Sequence, residues 1–300
     1  MRRIIINADD FGLTSGVNRA IVESHVRGVV TSTTLMACGA QFDEAISLAS
    51  EIPRPSVGCH VVLVDGWPVL KGSEVACLLP RGAQRFRDGL AGFACQAVAG
   101  RLDEAQIEEE ITAQIRKLQS AGIMASHLDS HKHTHMFPAV FRATIRAARQ
   151  CGIWALRNPF EPLLFFSVRR WKRQFQLGIL RSYRASFRHE LESAGLITPD
   201  GCIGIAATGG LNFETFRTLM ENLPEGTWEF VCHPGYNDPE LDGIKTRLRA
   251  SREIELALLT SPEVKELLRR EQIDLISYRD FVSHSDATPK VATPLIAKST

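Results

Sequence analysis

The chain has 300 residues, of which 44% are hydrophobic and 23% are charged, and its formal net charge is +1. This composition is that of an ordinary globular protein with enough apolar side chains for one large domain or two small ones, which excludes a fibrous or wholly disordered chain. The near-neutral charge does not provide the basic surface that nucleic-acid binding requires, so no nucleic-acid partner is expected.

Cysteine usage and hydropathy bear on the cellular location. The seven cysteines are scattered and form no C-x-x-C pair, which favours a reducing compartment. No apolar run approaches the roughly 18 to 20 residues that cross a bilayer. The basic start is followed by only three isoleucines, far short of a signal-peptide core. We therefore expect a cytoplasmic protein, with transient contact at the inner membrane surface as a further expectation.

Short apolar runs alternate with longer segments of helical periodicity along the chain. Residues 3–8 predict a buried strand, and residues 15–28 predict a helix that is capped by Thr14 or Ser15. Apolar residues recur with a 3.6-residue period over 104–121, and another helix is predicted after Pro138. Further strands are predicted at 57–64, 125–129, 153–157, 202–207, 228–232 and 275–278.

Strands that alternate with helices predict an α/β fold with a mostly parallel sheet and helices outside it. About seven such units fit a (β/α) barrel, and an open sheet is the alternative. We expect one domain over residues 1–284, with insertions near 66–100 and 163–200, and a disordered tail at 285–300. The stretch 165–188 is basic and aromatic, which suits a lid, a partner surface or a membrane face, or else a solvated helix packed on the barrel.

Residues with metal-binding or acid–base chemistry follow several of the predicted strands. In α/β folds, ligands gather at the carboxyl ends of parallel strands, where successive loops converge. Asp9 and Asp10 can reach one site only if their strand ends or turns there, because adjacent side chains on a strand point to opposite faces. Two such carboxylates repel unless a cation or a proton holds them. The alternative is an Asx-turn or a helix cap.

Histidines mark three more strand ends. His131, His133 and His135 are two residues apart, so an extended chain would present them on one side, where neutral imidazoles bind Zn²⁺ well. A solvated loop is the alternative for this segment. His60 and His233 each end an apolar run, and either one alone would also fit a hydrogen-bonded core histidine.

These residues together resemble the YdjC/ChbG family of carbohydrate deacetylases over residues 3 to about 279. The ordered set of motifs is more specific than any one of them. Its anchors are Asn7-Ala8-Asp9-Asp10-Phe11-Gly12, Thr31-Ser32-Thr33-Thr34, Gly58-x-His60, His127-Leu128-Asp129-Ser130-His131-x-His133-x-His135, Cys232-His233-Pro234 and Ser277-Tyr278-Arg279. The resemblance implies an irregular, TIM-like (β/α) barrel and a homodimer.

The same resemblance implies a role for each site residue. One divalent metal, Mg²⁺ or Zn²⁺, would be held by Asp10, His60 and His131. Asp9 would be the general base, and His233, as an imidazolium, would be the acid. Residues expected to contact the substrate or to support the ligands are Asn7, Asp129, His133, His135 and Arg157. Arg157 and Arg279 could equally be structural ion-pair partners.

A narrower resemblance points to the hopanoid-biosynthesis-associated branch of the family. It is carried by the run 63–70 and by the segment 183–208. The implied substrate is an N-acetylglucosaminyl group linked to a bacteriohopane polyol. The alternatives are a chito-oligosaccharide deacetylase, a metal-dependent phosphoesterase, which commonly uses two metals, and a non-catalytic, metal-stabilised binding module.

Overall fold

The computed structural model describes residues 1–52, 56–162 and 184–284. The first strand, β1 (Arg2–Phe11), lies at the centre of the sheet and has neighbours along both edges. Its Ile4, Ile5 and Ile6 are fully buried, as expected for a parallel strand that is covered on both faces. Burial of each such side chain stabilises the fold by roughly 1.5–3 kcal/mol, so this run anchors the sheet.

Helices and strands alternate after β1, as the periodicity predicts. The first helix begins at Thr14, whose hydroxyl accepts a hydrogen bond from the Val17 backbone N–H at 3.1 Å. The elements that follow β1 are α1 (Ser15–Val26), β2 (Ser32–Leu35), α2 (Phe42–Glu51), β3 (Ser56–Val61), α3 (Gly89–Val98), α4 (Glu104–Ser120), β4 (Leu128–Ser130), α5 (Pro138–Gln150), α6 (184–193), β5 (Gly201–Ile203), α7 (Phe213–Glu221), β6 (Gly226–Cys232), α8 (Pro239–Asp242), α9 (Ala250–Thr260), α10 (Pro262–Arg270), β7 (Ile273–Leu275) and α11 (Tyr278–Ser283).

All of the strand pairs are parallel, in the order β4-β3-β2-β1-β6-β5, and β7 pairs with the first residues of β1. Isolated bridges at Leu128–Leu156 and Ala155–Ile197 continue the curl beyond β4. Among the described residues no ladder joins this edge to β5, so the sheet forms a partial barrel that is not fully closed. The predicted α/β class and parallel sheet are confirmed in this form.

Some predicted strands differ from the observed ones for local reasons. Residues 153–157 form isolated bridges instead of a strand. The strand predicted at 202–207 ends at Ile203, because Gly204 adopts a positive φ of 94° and turns the chain. Strand β2 was not predicted because it is polar and contains no apolar run, although its β-branched threonines suit a strand.

The segment 66–100, which the sequence predicts to be an insertion, holds a short 3₁₀ helix (Ala76–Leu78) and α3. The buried Glu110 carboxylate of α4 accepts hydrogen bonds from the backbone N–H groups of Val69 and Leu70, at 2.8 and 3.0 Å, and ties the insertion to the barrel. Most of the second expected insertion, and the tail at 285–300, lie outside the described residues. No helix in the described part is both long and apolar enough to cross a membrane.

Candidate active site

The polar strand-end residues surround one cavity of about 410 Å³ at the carboxyl edge of the sheet. Ligand sites of this size are typical for small molecules. Parallel strands bring their carboxyl ends to the same edge, so the predicted convergence of these side chains is observed. The predicted site residues that line the cavity are Asp9, Asp10, His60, His131, His133 and His233.

Asp9 and Asp10 both face this cavity because the chain turns between them. Asp10 has a left-handed φ of 70°, and the pairing of β1 with β2 shifts register between Ala8 and Phe11. A positive φ in a non-glycine residue is tolerated best by Asp and Asn. The turn that the sequence requires for two adjacent carboxylates to share a site is therefore present.

Asp10, His60 and His131 form a compact group of possible metal ligands. The Asp10 Oδ1 atom lies 3.3 Å from His131 Nδ1 and 3.6 Å from His60 Nε2, and the two ring nitrogens are 3.4 Å apart. Asp10 Oδ1 is buried and has no hydrogen-bond partner in the described chain. A buried carboxylate oxygen with two imidazole nitrogens around it fits a divalent cation, since such orphaned atoms otherwise cost stability.

A neighbouring group, formed by Asp9, His60 and Asp129, also lies within ligand distance. Its carboxylates are already bonded to Arg157, and His60 Nδ1 is 2.7 Å from Asp129 Oδ1. A guanidinium between the two carboxylates leaves little place for a second cation. The first group is therefore the better candidate for a metal site.

Asp129 orients His60 from behind. With Nδ1 bonded to Asp129, the Nε2 atom of His60 points toward Asp10, which is the arrangement that metal-ligating histidines usually have. The Thr34 hydroxyl donates to Asp129 Oδ2 at 2.9 Å and fixes the carboxylate. Asp129 thus acts on the site through His60. Thr34, which the sequence marks only as part of a motif, lies on β2, a strand that was not predicted.

Arg157 is a buried hub for the carboxylates of the site. It is fully buried and donates to both oxygens of Asp9, at 2.7 and 2.8 Å. It also bonds to Glu229 at 2.7 Å and pairs with Asp129 at 2.8 Å. Of the two interpretations left open for Arg157, substrate orientation and ion pairing, this geometry favours ion pairing.

The same contacts set the protonation state of Asp9. Burial alone would raise the pKa of Asp9, but the Arg157 guanidinium outweighs it and holds that pKa well below its usual range. Asn7 donates to Asp9 Oδ1 at 3.0 Å, whereas Oδ2 lies 3.8 Å from His233 Nε2. Asp9 is therefore ionised and fixed, with one oxygen toward the cavity.

Replacement of Arg157 by methionine should destabilise the fold by about 3–5 kcal/mol, because it leaves buried carboxylates without a counter-charge. Urea unfolding measures this free energy. The matched control is Arg188→Met, since Arg188 forms a half-exposed pair with Asp200, and such pairs contribute about 0–1 kcal/mol. Equal losses of unfolding free energy in the two variants would contradict the role of Arg157 as the counter-charge of the buried carboxylates.

The segment that carries the three spaced histidines is not extended, so that expectation is wrong. Residues His131–Met136 form a 3₁₀ helix in which Lys132 and His133 have left-handed φ values of 53° and 54°. His131 therefore faces Asp10, and His133 lines the cavity. His135 points into the interior, 2.5 Å from the Ser130 hydroxyl, and does not line the cavity.

His233 reaches the cavity from the end of β6 and is neutral in this arrangement. Burial lowers its pKa to about 4, which outweighs the opposite effect of Asp9 and Asp10. The imidazolium expected from the resemblance is therefore not the resting form at pH 7. His233 can donate a proton only after it has received one.

Two residues of α9 complete the site and were missed by sequence reasoning. Arg252 donates to Asp10 Oδ2 at 2.5 Å, and this cation and His131 hold the pKa of Asp10 well below its usual range against the effect of burial. Glu255 accepts a hydrogen bond from the His233 backbone N–H at 2.6 Å, and burial raises the pKa of Glu255 to about 7. The feature that could have identified them is the position of two charged residues on the buried face of a helix.

Metal affinity should depend on pH through His60. Burial would lower the pKa of His60, but Asp129 outweighs it and raises that pKa to about 9. A ligating histidine must be neutral, so affinity should rise about tenfold per pH unit from pH 7 to about 9 and level off above it. Calorimetric titration across this range measures it, and a flat profile would contradict the assignment. Asp129→Asn should move the plateau to lower pH.

The chain is similar to known proteins over most of its length. The model of a family described as YdjC-like protein matches residues 3–270. A carbohydrate deacetylase 1 from Listeria innocua is 31% identical over 281 residues, which cover 93% of this chain and 100% of that protein. A carbohydrate deacetylase from Brevibacillus brevis is 32% identical, with 93% and 99% covered.

One solved structure is similar over nearly the whole chain. The crystal structure of a putative cellobiose-phosphate cleavage protein from Enterococcus faecalis has a TM-score of 0.73 and 28% identity. The match covers 93% of this chain and 98% of the other. The partial barrel described above is therefore shared with an experimentally determined fold.

Proposed function

Since the chain belongs to the YdjC-like protein family, we propose that it is a metal-dependent hydrolase that removes the acetyl group from an N-acetylated sugar. The observation that carries this proposal is the buried, unpartnered Asp10 Oδ1 between two imidazoles, with the ionised Asp9 beside it. The curated relatives that are named carbohydrate deacetylases support the substrate class.

The ligands of the metal would be Asp10, His60 and His131, which lie together at the cavity wall. A divalent cation bound there supplies a polarised acetyl carbonyl and a water whose pKa falls toward about 7. Three protein ligands leave coordination positions for substrate and water. Both Mg²⁺ and Zn²⁺ are compatible with one carboxylate and two imidazoles.

Asp9 would take the proton of the attacking water. Asp9 lines the cavity, and its carboxylate is held by Arg157, which donates to Oδ2, and by Asn7, which donates to Oδ1. Arg157 lowers the pKa of Asp9 and so makes it a weak base, and a proton that it takes from the water therefore passes on to a stronger base. Neutral His233, whose Nε2 is 3.8 Å from Asp9 Oδ2, is such a base.

His233 would then carry this proton to the departing amine. The pKa of His233 is about 4, so once protonated it is a stronger acid than an ordinary imidazolium, and amine expulsion needs a proton donor. Glu255 accepts a hydrogen bond from the backbone N–H of His233 and holds that residue in place. We thus assign to Asp9 and His233 the base and acid roles that the family resemblance implies, with the proton passing from the first to the second.

For the substrate, we propose an N-acetylglucosaminyl group linked to a bacteriohopane polyol. The two runs that resemble the hopanoid-associated branch supply part of the cavity wall, through Val64 and Asp65 from 63–70 and Ile205 and Thr208 from 183–208. The aromatic stretch at 165–188 lies almost wholly outside the described residues and adds nothing to this argument. A cytoplasmic location and a homodimer remain predictions.

The test compares two substrates on the metal-loaded protein. We expect the loss of one acetyl group, by mass and by acetate release, from N-acetylglucosaminyl bacteriohopanetetrol, and little release from diacetylchitobiose. Release from chitobiose alone would retain the deacetylase and contradict the lipid-linked substrate. Release from neither, with metal bound, would contradict the deacetylase itself and favour a phosphoesterase or a binding module.

A further inference from the structure

Helix α3 presents an uncharged face to solvent. The helix contains no charged residue, and Phe93 is its one fully buried side chain. Its outer side, here called the α3 face, consists of Leu90, Ala91, Gly92, Cys95 and Val98. Val98 is 86% exposed and Leu90 is 37% exposed. Surface helices normally direct polar or charged residues outward, so a helix of three turns with no charged residue and with Gln96 as its one polar side chain needs an explanation.

The flanks of this helix carry four arginines, and the acidic residues Asp103 and Glu104 come after the last of them. Arg81, Arg85 and Arg87 precede it and Arg101 follows it, whereas Asp88 is the single acidic residue between positions 79 and 101. Asp88 is already paired with Arg85 at 3.5 Å and with Lys245 at 3.6 Å. Arg81 and Arg101 are exposed and form no ion pair within the described chain. The α3 face thus carries cations at both ends.

We propose that the α3 face docks on the surface of a bilayer that contains anionic lipid. An apolar helix face between basic flanks is the pattern of an interfacial helix, whose side chains enter the head-group boundary while the arginines contact anionic head groups. Trp67, which is 57% exposed, lies in the segment that pairs with residues 86–87 and can add an interfacial aromatic anchor.

The charges favour a bilayer over a second copy of the chain. A two-fold contact places the same patch on both partners, so the arginines of one α3 face would meet those of the other. Like charges at such a contact are destabilising. An anionic surface complements the same arginines instead.

The position of α3 links docking to the cavity. The Gly89 backbone N–H donates to Asp65 Oδ1 at 2.7 Å, and Asp88 pairs with Lys245. Both Asp65 and Lys245 line the cavity. A docked α3 therefore holds the cavity wall close to the head groups. The docking itself does not depend on the proposed reaction.

The test is cosedimentation of the full chain with vesicles of phosphatidylcholine, with or without 30% phosphatidylglycerol. We expect binding to the anionic vesicles that weakens in 0.5 M NaCl. The double variant Leu90→Asp/Val98→Asp should lower the partition coefficient roughly tenfold or more, and Arg81→Glu/Arg101→Glu should do the same. The matched control, Met124→Asp/Ile254→Asp, changes two other exposed apolar residues and should lower it less than twofold.

Three outcomes would overturn the proposal. They are no binding to anionic vesicles, equal binding by the α3 variants and the wild type, and equal losses in the α3 and control variants. Sedimentation velocity tests the alternative that a second copy of the chain binds the α3 face. A lower oligomer mass for Leu90→Asp/Val98→Asp than for the wild type would support that alternative. Acetate release from a soluble acetamido sugar, measured without vesicles, should be the same in all variants, so failure of docking and failure of the proposed activity are distinguishable.

Discussion

Asp9→Asn should lower kcat by roughly 10²–10⁴-fold while the metal stays bound. The amide cannot accept the proton of the attacking water, but it keeps the size of the carboxylate and one acceptor for Arg157. The ligands Asp10, His60 and His131 are unchanged. Steady-state kinetics measures the loss, and metal analysis of the same sample measures occupancy.

The control for this variant is Asp200→Asn. Asp200 is also an aspartate paired with an arginine, Arg188, but it bonds to the Thr227 backbone N–H near the start of β6, at the opposite edge of the sheet. Its kcat should stay within a factor of two of wild type. Normal turnover in Asp9→Asn would remove Asp9 from the base role. Loss of metal in that variant would instead make it a ligand.

His131→Ala should lower metal affinity by more than a hundredfold and abolish turnover with it. Loss of an outer partner of a metal ligand commonly costs 10- to 100-fold in affinity, so loss of the ligand itself costs more. His131 is the most exposed of the three candidate ligands, at 20% of its side chain, so the variant should fold. Titration of metal into the metal-free variant measures the affinity.

Exposed His189 supplies the matched control for this second prediction. His189→Ala makes the same chemical change on α6 and should keep both affinity and turnover. One equivalent of tightly bound metal in His131→Ala would contradict the ligand assignment. Retained turnover in a variant without metal would contradict the proposed chemistry as a whole.

Part of this site could be predicted because some of its reactive side chains lie at the ends of strands. Asp9 and His233 each close a run of buried apolar residues, and parallel strands bring such ends to one edge. The turn at Asp10 was also predictable, since two adjacent carboxylates cannot otherwise face one cavity.

The remainder depends on contacts between residues that are distant in the sequence. The bonds of Arg157 to Asp9 and Glu229 join a residue that follows two isolated bridges to strands β1 and β6, and no local sequence pattern predicts them. Arg252 lies on a helix far along the chain, where a charged residue ordinarily predicts a solvated surface.

In the histidine segment, the local backbone conformation differs from the extended one that the spacing of the histidines would require. Alternation predicts three histidines on one side only if the backbone is extended. Left-handed residues at Lys132 and His133 turn the chain instead, and His131 and His135 then point to different places. Such φ values in non-glycine residues are held by the surrounding structure and are not readable from the residue types.

Whether the protein is a metal-dependent deacetylase is measured by acetate release from an acetamido sugar as metal is added to the metal-free protein. We expect no release without metal, an increase that is linear in bound metal, and saturation at about one equivalent. Release that is independent of metal, or no release at one bound equivalent from either the lipid-linked or the soluble sugar, would contradict this function.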